Sequence, residues 1–175
     1  MNQDLKTANE LLDAEVECFL QSDEQVFLVG GPDVHDKHLY VLGSLNRYVK
    51  KYKDHRISVL FRTNIYKNLG IYFPELNLNS RTRKCRFGML NLYFDTIRSR
   101  GGGLREKYAV AIIYPAASMI QTDKDFKLIN NLKSRAKKIF LVTAQEQTFG
   151  GIERLEKVAD RVFIREYVGE NYFIK

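Results

Sequence analysis

The sequence predicts an α/β domain of three layers, a mostly parallel sheet with helices on both faces. Three observations carry that expectation. Short apolar runs recur along the chain, as VFLV, RISVLFRT, YAVAIIY and IFLVT. They lack the in-out alternation of half-exposed strands, as central strands buried on both faces do. Between them lie segments whose apolar residues recur at helical spacing, which implies crossovers packed against a sheet. With 175 residues and no repeat, linker or low-complexity tract, the chain reads as one domain, 1–175, able to bury a core of its own.

The elements follow in order. A helix is expected over 4–21, with Leu5, Ala8, Leu12, Val16, Phe19 and Leu20 on one face and Thr7 and Glu10 spaced as a capping box. A strand over 26–29 leads through a Gly-Gly turn to a helix over 39–52, whose Leu42, Leu45, Val49 and Tyr52 share a side. Lys50, Lys51 and Lys53 suit the negative end of its dipole. A second strand covers 56–63. Aromatics, Asn and Pro74 make 64–88 read as loops and short pieces. A helix is expected over 89–100, ended by Gly101, Gly102 and Gly103. A third strand, 108–114, stops at Pro115. Thr122 is placed to cap a helix over 123–136. A fourth strand (139–143) and a short helix (151–159) follow. A C-terminal hairpin is expected from 161–167 and 172–174, turning about Val168, Gly169, Glu170 and Asn171.

Apolar residues make up 45% and aromatics 12% of the chain, which excludes a disordered protein. A net charge of +7 biases it towards anionic partners, nucleic acid first, or serves solubility alone. The polar, acidic N-terminus does not read as a signal peptide. The longest apolar run, 108–120, is too short for a bilayer and is interrupted by Pro115, so no membrane partner is expected. Cys18 and Cys85 make no disulfide framework and read as free thiols of a cytoplasmic protein. Cys85 stands between Lys84 and Arg86, a setting that lowers a thiol's pKa if the charges face it; a passive half-buried thiol is the competing reading.

The stretch with most chemical content is VFLVGGPDVHDKH, 26–38. A phosphate-binding loop of form GxxxxGK[ST] follows a strand and opens a helix. Its amides surround the phosphates, its Lys neutralises them and its hydroxyl holds magnesium. Gly31 and Lys37 fit that form, whereas Asp36 replaces the second Gly and His38 the hydroxyl residue. Asp33 and Asp36 place carboxylates where phosphates would sit. A neutral imidazole offers magnesium no hard oxygen.

At this point the chain resembles the RecA-type ATPase core, notably its RadA-like and DnaB-like members, over roughly 26–175. VFLVGGPDVHDKH resembles the strand and P-loop, and YAVAIIYPAAS the Walker B strand. KKIFLVTAQEQTFGGIERLEKVADRVFIRE resembles the run from the sensor strand through a DNA-facing loop to the next strand. Gln145 matches the polar sensor position by that resemblance. The departures are equally specific. No acid occurs over 109–122, where the family's magnesium-ordering Asp belongs. Thr63 and Asn64 stand where its catalytic Glu is expected. The resemblance therefore implies a RecA-like fold whose nucleotide residues Gly31, Asp36, Lys37, His38 and Gln145 are vestigial, with no catalytic residue and ATP disfavoured as a cofactor. An unrelated doubly wound protein with a chance Gly-Gly turn is the alternative.

Other constellations point elsewhere. Asp33, His35, Asp36 and His38 have metal-ligand chemistry but no zinc spacing, so a solvated loop and helix cap is expected and no metal. Basic residues cluster as Arg81, Arg83, Lys84 and Arg86, then Arg98, Arg100, Arg105 and Lys107, interleaved with Phe87 and Tyr93. That set suits phosphates and stacked bases, or is a solvated face. The leading expectation is a non-hydrolysing RecA-like module that binds nucleic acid, a protein partner or copies of itself in replication, repair or a mobile element. The alternatives are a noncanonical nucleotide-binding enzyme and a pure protein-interaction adaptor.

Overall fold

A computed structural model describes residues 2–31, 36–64, 66–96, 107–120, 126–143, 151–168 and 171–174. The chain is α/β. Strands β1 (Val26–Gly30), β2 (Ile57–Thr63), β3 (Lys84–Phe87), β4 (Leu90–Thr96), β5 (Tyr108–Ile113), β6 (Ala136–Val142), β7 (Arg161–Val168) and β8 (Asn171–Ile174) alternate with helices. The helices are α1 (Asn2–Gln21), α2 (Lys37–Tyr52), α3 (Leu69–Tyr72), α4 (Ala116–Ile120), α5 (Lys127–Lys133) and α6 (Gly151–Glu156). Across the sheet the order is β3-β4-β2-β5-β6-β1-β7, with β8 beside β7. The neighbours from β4 to β7 are all parallel. The β3–β4 and β7–β8 pairs are antiparallel. The turn of the expected C-terminal hairpin includes 169–170, which lie outside the described residues.

Each central strand buries both faces, so each divides its side chains between two cores. On the first face Phe27, Val29, Val59, Phe61, Ile112 and Phe140 meet α1, α2 and α3. On the second, Leu28, Leu60, Ala111, Ile113, Ile139 and Leu141 meet α4, α5 and α6. Continuous apolarity in the sequence is the consequence of this double burial. Phe19 of α1 packs its ring 5.1 Å from both Phe27 and Phe140, so the first helix belongs to the core.

Polar groups set the angle of α1. Lys138 of β6 donates to the carbonyls of Phe19, Ser22 and Glu24 at 2.8, 2.6 and 2.5 Å, meeting the negative end of the helix with a cation. Arg47 of α2 pairs with Asp13 at 2.5 Å, and Arg161 of β7 with Glu15 at 2.6 Å and Glu24 at 2.7 Å. Thr7 lies inside α1 rather than at its start, so it is no N-cap. Tyr52, expected on the buried side of α2, is 41% exposed and donates its hydroxyl to Glu17.

The largest departure from expectation is 89–100. Leu90–Thr96 is a strand, not a helix. Leu90, Leu92 and Phe94 alternate into the first core, a period of two that also satisfies part of a helical pattern over so short a run. The β3 strand in front of it falls within the stretch read as loops. Gly88, at φ +57°, makes the turn between them, a conformation that favours glycine. Asn46 of α2 accepts from the Met89 amide at 2.8 Å and ties that turn to the body of the fold. Of the helix expected over 123–136, Lys127–Lys133 is helical; Phe126, at φ +53°, precedes it, β6 already starts at Ala136, and 123–125 lie outside the described residues. Thr122, its expected cap, lies outside the described residues. Among the described residues no helix is long and apolar enough to cross a membrane.

Candidate functional site

Parallel strands place all their carboxyl ends on one edge. From β1 the chain passes to α2 on the first face, whereas from β6 it passes to α6 on the second. Adjacent strands whose connections leave in opposite directions open a crevice at their carboxyl ends, where α/β proteins bind ligands. The residues after β1 are therefore in the right place for a site.

The described residues there bond to the protein itself. Gly31 has φ +127°, and its carbonyl accepts from the Lys37 ammonium at 2.6 Å. Lys37 opens α2 and is 5% exposed, with its ammonium turned back to the end of β1. Asp36 makes no side-chain cap to α2; its backbone carbonyl accepts from Leu39 and Tyr40 instead.

His38, expected on a solvated loop, is buried at 1% exposure. An aromatic cage surrounds it. Tyr114 stacks on the imidazole at 4.1 Å, and Tyr72, Phe73 and Phe61 meet it at 5.7, 5.5 and 5.9 Å. Burial pushes its pKa below the ordinary value, outweighing the Tyr72 carbonyl and Asp36, which pull the other way. The neutral ring donates Nε2–H to the Tyr72 carbonyl at 2.7 Å and leaves a bare, buried Nδ1. Sequence reasoning missed the cage because its members come from three separated segments. Tyr114, joined to Pro115 by a cis peptide, stands at the end of β5. Its phenol is pushed up to about 12, by burial first and then by Tyr72 and Asp36.

A second buried group lies at the carboxyl ends of β2 and β4. Arg62 and Asp95 are register partners on β2 and β4, and their side chains pair at 2.5 Å, 6% and 5% exposed. Asp95 also accepts from the Thr96 amide at 2.8 Å, whereas Arg62 Nε has no partner. A single Arg ending an apolar strand, with a single Asp near the end of the next, was the only signal of this pair.

The structure therefore gathers Gly31, Asp36, Lys37 and His38 at the start of α2. Gln145 lies outside the described residues, as do Asp33 and His35. Arg81, Arg83, Lys84 and Arg86 are exposed on the edge strand β3 and the turn before it. The Arg83 guanidinium donates to the Ser80 carbonyl at 2.8 Å. Lys107, also exposed, precedes β5, three strand positions from β3. Arg98, Arg100 and Arg105 lie outside the described residues. Cys85 is half-buried and burial pushes its thiol up. Lys84 and Arg86 do not activate it, because residues on either side of it in a strand face the other side of the sheet.

No model of a known protein family matches the chain, and no curated protein shows a significant match.

Proposed function

We propose that this chain is a RecA-like core that does not hydrolyse nucleoside triphosphates and acts as a binding module, with nucleic acid as its leading partner. The observation that carries the first half is the commitment of Lys37 and His38 to backbone carbonyls of the protein itself. A phosphate-binding Lys must reach outward, but this one is held on the Gly31 carbonyl. Magnesium needs oxygen ligands near the start of α2 and the end of β5. Those positions hold an imidazole committed to a backbone carbonyl and a buried tyrosine. Neither side chain fits magnesium-bound ATP, and phosphoryl transfer at this crevice would lack the charge compensation it requires.

The sheet order supports the RecA-like reading. The strand compared with the sensor strand, β6, lies between the P-loop-like β1 and the Walker B-like β5. The three ends that would share one nucleotide are thus neighbours. A C-terminal antiparallel pair, β7 and β8, closes that side.

The second half rests on the exposed cations around β3. Binding of a labelled single-stranded oligonucleotide that weakens steeply with salt is the expected result. Charge reversal at Arg81, Arg83, Lys84 and Arg86 should abolish it. Unchanged binding in that variant would remove the basic face from the proposal. The pure adaptor reading gives no oligonucleotide binding but a defined complex on size-exclusion chromatography.

A further inference from the structure

We propose that the hollow on the face of the β3–β4 pair is a single-stranded nucleic-acid site in which one unpaired base stacks on Tyr93 while Lys84 and Arg86 hold the flanking phosphates. This inference rests on the nucleic-acid reading above and assigns it a place, a strand state and a stacking residue.

Pairing register sorts the residues. Lys84 lies opposite Tyr93 and Arg86 opposite Asn91. Opposite residues of an antiparallel pair share a face, with Cβ atoms about 5 Å apart. These four side chains therefore stand together on one face of the pair, and their residues line one shallow hollow. Lys84 and Arg86 are exposed, Asn91 and Tyr93 half-buried. Along β3 the two cations are about 7 Å apart, so each can meet a different phosphate of an extended strand. Phe87, the other aromatic of this stretch, is excluded, because it packs with Cys85 against the first core.

Tyr93 is a prepared platform. Its ring meets Tyr108 at 5.6 Å and 63°, and Tyr108 is 1% exposed in the second core. A ring fixed in this way loses little freedom when a base arrives. Asn91 brings an amide that can donate to or accept from a base edge. Bases of a duplex are already stacked and cannot lie on Tyr93, whereas an unpaired base can. The charges also disfavour a protein strand adding to the β3 edge, since exposed Lys and Arg are how sheets protect such edges.

The test uses the full chain, with fluorescence anisotropy of a labelled oligothymidylate and of a duplex of equal length. The single strand should bind more tightly. Tyr93→Ala should weaken it by roughly 5- to 150-fold, the loss of one base–aromatic stack, and Tyr93→Phe by less than about twofold. Replacing Lys84 and Arg86 by Ala should reduce the salt slope by about 1.4, or 0.7 for each lost phosphate contact. Crosslinking of the unaltered protein to a 5-iodouracil strand should label Tyr93, a readout independent of how the variants fold. Crosslinks only elsewhere, equal duplex binding, or full affinity in Tyr93→Ala would overturn the platform while leaving nucleic-acid binding in place. Absence of binding to either oligonucleotide would remove both readings. Hydrogen-exchange protection of β3 by a second copy of the chain, unaffected by oligonucleotide, would assign the edge to protein instead.

Discussion

A buried histidine with one hydrogen bond sets a measurable pH dependence. His38 has a folded pKa below its ordinary value of 6.5. Below pH 6.5 the unfolded chain takes up a proton that the folded chain refuses. Stability is therefore complete above that pH and falls as pH drops towards the folded pKa, by up to about 1.4 kcal/mol per pH unit. Urea titrations as pH falls below about 6.5 should show this slope, and His38→Phe should flatten it while losing the donor to Tyr72. A slope that survives the substitution would mean another group is responsible. The Arg62–Asp95 pair makes a second expectation. Asp95→Asn leaves a buried guanidinium without its counter-charge and should cost about 3–5 kcal/mol. Arg62→Met combined with Asp95→Leu should recover most of that loss, measured by the same titration. Neither feature was legible as such in the sequence. Burial of a polar residue is decided by segments distant in the chain, here Tyr72 and Tyr114 around His38.

At the scale of elements, side chains from one segment fix the ends of another. Lys138 serves three carbonyls at the end of α1. Lys138→Met keeps the length of the side chain but removes the donor, and should lower stability by about 1–3 kcal/mol. The change should appear in the urea midpoint and leave the m-value unaltered. Gly88→Ala should cost about 1–2 kcal/mol through its left-handed backbone, and more if Asn46 cannot withdraw. A Cβ there would stand 2.3 Å from Asn46 Oδ1. The central strands and α2 were readable because continuous apolar runs and 3.6-residue spacing are local signals. The β3–β4 pair was not. Leu90, Leu92 and Phe94 fit two periods, and only pairing with β2 decides between them.

For the whole molecule, the α/β class and the parallel sheet followed from the rhythm of strands and helices. The order of strands did not, because register and neighbours depend on long-range pairing. That order puts the end of β1 at a ligand crevice, where Lys37 is held on the Gly31 carbonyl. The measurement closest to this claim is phosphate release from magnesium-ATP by the full chain, with single-stranded DNA present, compared with its Lys37→Ala variant. Equal, background-level release from both is the expected result. Sustained turnover that the substitution abolishes would contradict it.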